Sequence, residues 1–197
     1  MMIKNQRPNI IFHLLCAMTI AFAAGVGTAA AQSSEPKTVA DFLLLVPERY
    51  MEGYDLRFRE EMLRGEHRGV VVDVRNGYIS YDASDNPSGF EFAVFRKSNG
   101  RYLVAYSTGA FYDPELGNEL GNWPTLFLLS YEGGRWRDIT GASLPVAFDK
   151  KLYYKLPRRG RSIEVWDGRG RKLYTLTWEN DRFRISRASG RQPGRRA

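Results

Sequence analysis

From Gly69 onward the apolar residues recur at every second position, and the runs are interrupted by tight-turn dipeptides. Residues 70–74 and 78–81 flank Asn76-Gly77, and residues 90–96 and 102–107 flank Asn99-Gly100. Residues 125–131 and 135–139 meet through Gly133-Gly134, and residues 163–166 and 173–178 through Gly168-Arg169-Gly170. Residues 182–185 alternate cleanly after Asn180-Asp181. A period of two sends alternate side chains to opposite faces of an extended strand, and Asn-Gly or Gly-Gly supplies the positive φ of a tight hairpin. About ten short strands so spaced predict an α+β, mainly β domain: an antiparallel meander closing into a barrel or a sandwich.

Ahead of the strands the period becomes helical. Thr38, three residues before Asp41, is a capping-box pattern that opens residues 39–45. Pro47 ends that helix or starts the next. Tyr50, Tyr54, Phe58 and Met62 then recur every four residues, which predicts an amphipathic helix over 49–64 with Gly65 as its stop. One or two N-terminal helices therefore cover an end or a face of the sheet.

The strand region repeats itself weakly. Tyr131-Glu132-Gly133-Gly134-Arg135-Trp136-Arg137 aligns with Trp178-Glu179-Asn180-Asp181-Arg182-Phe183-Arg184, and Asn99-Gly100-Arg101-Tyr102 echoes the second half. Each unit is a turn followed by Arg and an inward aromatic. Offsets of 34 and 47 residues are too uneven for regular propeller blades.

The first 31 residues read as a signal peptide. Lys4 and Arg7 precede an apolar run from Ile10 to about Ala24, and Ala29-Ala30-Ala31 before Gln32 fits the small-x-small cleavage rule. Left uncleaved, residues 10–31 would just span a bilayer. Cleavage near Ala31 gives a secreted or periplasmic protein with a flexible exit at 32–37, a single domain over 38–186 and a disordered basic tail at 187–197. Cys16, the single cysteine, leaves with the leader, and Leu15 before it does not fit a lipoprotein signal. The exported chain then has no disulfide, no catalytic cysteine and no cysteine-ligated zinc. No second apolar stretch approaches about 18 residues, so no transmembrane segment is expected after cleavage.

The formal charge of +7 is concentrated at the termini, and residues 32–186 sum to +1. The halves differ in sign: residues 32–134 carry −6 and residues 135–197 carry +11. A basic C-terminal half, with Arg187, Arg191, Arg195 and Arg196 in its tail, allows weak contact with anionic lipid or lipopolysaccharide. Nucleic acid is not expected, because export removes the protein from it and no recognition motif is present.

Asp41-Phe42-Leu43-Leu44-Leu45-Val46-Pro47 leading to Arg49-Tyr50, Asp73-Val74-Arg75-Asn76-Gly77-Tyr78, and Tyr153-Tyr154-Lys155-Leu156-Pro157-Arg158 through Val165 together resemble a group of uncharacterised secreted bacterial proteins. The likeness covers residues 38–186. It implies export and a β-rich domain, with no assigned activity.

Motif chemistry is sparse. Walker A, dinucleotide and His-Glu-x-x-His patterns are absent, and Gly168-Arg169-Gly170-Arg171-Lys172 reads as a hairpin turn, so no cofactor or metal is expected. His67, which remains after the leader, reads as a solvated loop residue. The stretch 108–124 is long for a hairpin and holds Phe111, Tyr112 and Trp123 beside Asp113, Glu115 and Glu119. Its aromatics suit stacking on a sugar or peptide, which makes it the expected contact for an envelope protein or glycan. Its acids also allow two alternatives: a carbohydrate-acting hydrolase with paired carboxylates, or a calcium loop of no standard spacing. Aromatic residues make up 13% of the chain, and Tyr102/Tyr106 and Tyr153/Tyr154 are expected to leave some rings facing outward. The leading expectation is a non-enzymatic binding module of the envelope.

Overall fold

The computed structural model of the protein describes residues 35–82, 89–108 and 125–187. Among them, strands β1 (Val70–Asp73), β2 (Tyr78–Tyr81), β3 (Phe90–Arg96), β4 (Tyr102–Ser107), β5 (Leu126–Glu132) and β6 (Arg135–Asp138) form one sheet in chain order. Strands β7 (Tyr153–Lys155), β8 (Ser162–Trp166), β9 (Lys172–Glu179) and β10 (Arg182–Arg187) form a second. Every pairing is antiparallel. Neither sheet's last strand returns to its first, so both stay open and pack as a sandwich instead of closing into a barrel.

Alternation explains the packing. Along β3, Phe90 and Phe92 lie in one buried cluster with Val94 packed against it, while Ala93 and Phe95 lie in another. The second cluster draws Leu103, Ala105 and Leu128 from the first sheet and Tyr154, Ile163, Val165, Leu176, Trp178 and Phe183 from the second. The first cluster closes against α1 (Val39–Leu45) and α2 (Leu56–Leu63), through Val39, Phe42, Leu43 and Met62. The inner strands β2–β5 are thus covered on both faces, which is why they are mostly apolar, whereas the edge strand β6 (Arg135–Asp138) is largely charged and exposed. Tyr102 and Tyr106, expected partly outside, both pack under the helices; Tyr154 is fully buried and Tyr153 half-buried.

Helix α1 begins with the capping box expected from its sequence: Thr38 Oγ1 accepts from Asp41 N at 3.2 Å, and Asp41 Oδ2 accepts from Thr38 N at 2.9 Å. Phe42 meets Tyr102, Tyr131 and Trp136 edge-on with centroids 5.2–6.1 Å apart. Burying that ring is worth about 2–3 kcal/mol. The helix predicted over 49–64 is shorter. Glu48–Tyr50 form a 3-10 turn, Gly53 adopts φ +86°, and Asp55 restarts the helix by accepting from Phe58 N at 2.8 Å. Tyr50 and Tyr54 therefore precede α2, although the four-residue spacing includes them. Arg59 of α2 is 2% exposed, and its guanidinium donates to Leu43 O at 2.8 Å and Val46 O at 2.6 Å. It thereby satisfies carbonyls at the end of α1 that have no partner within that helix.

The turns confirm two of the aligned units. Gly133-Gly134 and Asn180-Asp181 are both two-residue loops with positive φ throughout, and each sets an aromatic pair directly opposite across the hairpin. Tyr131–Trp136 and Trp178–Phe183 have centroids 5.0 Å apart. Asn76-Gly77 behaves differently: Val74–Asn76 form a 3-10 turn in which Gly77 alone has positive φ. Two elements were not anticipated, the one-turn helix α3 (Thr140–Ser143) between the sheets and the three-residue strand β7.

Candidate functional site

The expected contact residues Phe111, Tyr112, Asp113, Glu115, Glu119 and Trp123 lie outside the described residues, as do Arg191, Arg195 and Arg196. The ends of that loop close on each other, with Thr108 N donating to Thr125 O at 3.1 Å. Arg187 belongs to β10, its backbone opposite Tyr174, so the strand extends into what was read as tail. His67 is only partly solvated: its ring packs on Phe58 with centroids 4.3 Å apart, and Nε2 lies 3.2 Å from Glu61 Oε2. Arg57 first, then His67, hold the Glu61 carboxyl below its ordinary range. Among the described residues no three His, Cys, Asp or Glu side chains converge as a metal site, and no helix is long and apolar enough to cross a membrane.

A cleft of 480 Å³ opens at one end of the sandwich, lined by residues from six places in the chain. Lys37, Thr38 and Val39 come from the start of α1; Val74, Arg75, Asn76 and Gly77 from the β1–β2 turn. Val94, Phe95 and Arg96 end β3, Tyr102 starts β4, Gly160 and Arg161 precede β8, and Trp178 lies on β9. Two cross-sheet ties frame it. Arg158 Nε donates to Asp73 Oδ2 at 3.1 Å, joining the segment before β8 to the β1–β2 turn. Asp181 accepts from Ser98 N at 2.8 Å and from the Ser98 hydroxyl, joining the β3–β4 and β9–β10 turns. The floor is equally fixed: Trp178 N donates to Arg161 O at 2.8 Å and its indole N–H to Arg96 O at 3.3 Å.

These ties sort the charges. Asp73 accepts from the Asn76 amide and from Arg158, and both hold its carboxyl below the ordinary range. The Ser98 hydroxyl and N–H do the same for Asp181, and the Lys37 and Thr38 amides for Asp41. The nearby acids are therefore ionised and engaged. Lys37, Arg75, Arg96 and Arg161 are exposed around the rim, and among the described residues none of these four side chains stands in an ion pair. Such a cleft attracts negative charge and offers it planar guanidinium forks over an uncharged floor.

No family model, curated protein or solved structure matches the chain. The four cations of the cleft were hidden in the sequence because each sits beside a turn or a strand end, where an isolated charge reads as a solvated one. Only the cross-sheet ties, between residues 85 and 83 positions apart, bring them to one mouth.

A second polar feature lies between the sheets. Glu91 is 2% exposed; its Oε1 accepts from Tyr78 Oη at 2.8 Å and its Oε2 from Leu156 N at 2.7 Å. Beside it across β3–β4, Ser107 Oγ donates to Tyr154 O at 2.6 Å. The two side chains satisfy backbone groups on the free side of β7 and latch that strand to the first sheet. Burial pushes the Glu91 carboxyl up to about 6 against the lowering by Leu156 N–H and Tyr78.

Proposed function

We propose that the protein is an exported, non-enzymatic binding module of the bacterial envelope that takes an anionic ligand in the cleft between Arg75, Arg96, Arg161 and Lys37. The observation that carries the reading is the set of four rim cations with no ion-pair partner among the described residues, beside acids already committed to other groups. Export is supported by Lys4, Arg7, the apolar run and Ala29-Ala30-Ala31, and by the resemblance over 38–186. A hydrolase would use Glu115 or Glu119 with a distant acid, and both glutamates lie outside the described residues.

The test compares two double charge reversals with the same net charge. Arg75→Glu with Arg161→Glu alters the cleft; Arg135→Glu with Arg137→Glu alters exposed positions on β6. On a column of immobilised heparin, the cleft variant should elute at clearly lower salt than the β6 variant. Equal elution of the two would show that overall charge alone governs retention and would overturn the cleft assignment.

A further inference from the structure

The distribution of charge within the cleft narrows the ligand class, an inference that rests on the anion-binding reading. The four cations come from four separate segments and all lie on the rim, whereas Val94, Phe95, Gly77 and Trp178 form an uncharged interior. At about 30 Å³ per water-sized group, 480 Å³ holds about sixteen such groups. An inorganic oxyanion would leave most of that space empty and meet only part of the rim. The complementary molecule has a neutral body and negative groups at its margins.

Other ligand classes fit less well. Phe95 and Trp178 are 4% exposed and pack on each other and on Phe183, so the floor holds no slot for an acyl chain. A peptide is recognised largely through main-chain hydrogen bonds, yet the N–H groups of Gly77, Val94 and Trp178 on the cleft floor are already used. Gly77 N donates to Val74 O, Val94 N to Gly77 O and Trp178 N to Arg161 O. What remains to a ligand is side-chain charge, the Tyr102 edge and the exposed Val74. We infer that the cleft takes a segment of an acidic glycan, one or two sugar residues carrying carboxylate, sulfate or phosphate groups. The open rim lets such a chain continue beyond the site, and exposed arginine contacts make the binding salt-sensitive.

Calorimetric titration of the full chain at low salt tests this with four probes: a heparin-derived tetrasaccharide, hexaglutamate, inorganic sulfate at matched charge, and neutral chitotetraose. The tetrasaccharide should bind one to one, at least tenfold more weakly in the Arg75→Glu/Arg161→Glu variant and unchanged in Arg135→Glu/Arg137→Glu. Chitotetraose should not bind, and neither sulfate nor hexaglutamate should displace the tetrasaccharide. Displacement by sulfate or hexaglutamate would overturn the glycan inference while leaving an anion site in place. Equal tetrasaccharide binding by both double variants would remove the cleft as the site, and with it both readings. Matching urea midpoints for the two variants would establish that neither result comes from unfolding.

Discussion

Replacing Glu91 by Gln should make the protein more stable at neutral pH and leave it nearly unchanged in acid. The carboxyl sits between the sheets at 2% exposure, and burial raises it from 4.5 to about 6. The folded chain therefore holds this proton more tightly than the unfolded chain does. Between those two values the native state binds more protons, so the Glu91 contribution to stability falls as pH rises through the window. The interval is worth about 2 kcal/mol. Gln has nearly the same shape and carries no charge. Its oxygen still accepts from Leu156 N, and its amide N–H can donate to Tyr78 Oη, which reverses its role.

The assay is urea unfolding followed by tryptophan fluorescence at a series of pH values from 4 to 7.5. Carboxylates held below their ordinary range, such as Asp73 and Asp181, lose stability in the opposite sense below about pH 4, so the quantity to follow is the difference between variant and wild type. That difference should grow by about 2 kcal/mol from pH 4 to 7. With a urea slope of about 2 kcal/mol per M, the Gln midpoint moves up by about 1 M relative to wild type. A flat difference would refute the raised carboxyl. A variant that weakens as pH rises would show that Tyr78 and Leu156 stabilise the charge by more than burial costs.

Two further substitutions test the local reasoning by the same assay. Gly69 has φ +74°, and a Cβ there would sit 2.1 Å from Asp82 O, so Gly69→Ala should cost about 3 kcal/mol by strain and by breaking the entry into β1–β2. A loss under about 1 kcal/mol would mean that this backbone relaxes freely. Arg59→Met should also cost about 3 kcal/mol, because Leu43 O and Val46 O lose their buried donor, and a neutral result would remove Arg59 as the link between α1 and α2.

Much of the fold could be read from local pattern because hairpins are local. Asn180-Asp181 and Gly133-Gly134 form the two-residue loops their chemistry favours, and the flanking alternation sets their registers. The Thr38/Asp41 capping box is similarly contained within four residues. What was misread depends on distant partners. Tyr50 and Tyr54 keep helical spacing with Phe58 because all three pack on the same sheet, yet Gly53 and Asp55 break the helix between them. Tyr153-Tyr154-Lys155 is too short to show a period, and its free side is satisfied by Glu91 and Ser107 from the other sheet. Glu91 itself occupies an alternating position that gives no sign of burial until both faces of β3 are covered.

The cleft shows how a sandwich acquires a charged site without weakening its core. Asp73 and Asp181 sit at hairpin ends and hold turns from the two sheets together, each through side-chain hydrogen bonds. Acids used in this way cannot neutralise the cations beside them. Arg75 and Arg161 flank the Asp73–Arg158 tie, while the Arg96 carbonyl accepts from the Trp178 indole near the Asp181–Ser98 tie. The same contacts that fix the mouth thus leave its rim positively charged. The rim arginines form no ion pair among the described residues, so reversing them changes the local field and spares the contacts that hold the sheets. Asp73→Asn should do the converse, loosening the Arg158 tie and lowering the urea midpoint slightly while making the rim more positive. If the cleft binds through charge, Asp73→Asn should retain or strengthen tetrasaccharide binding. If it binds through a rigid mouth, the variant should bind more weakly despite its added positive charge.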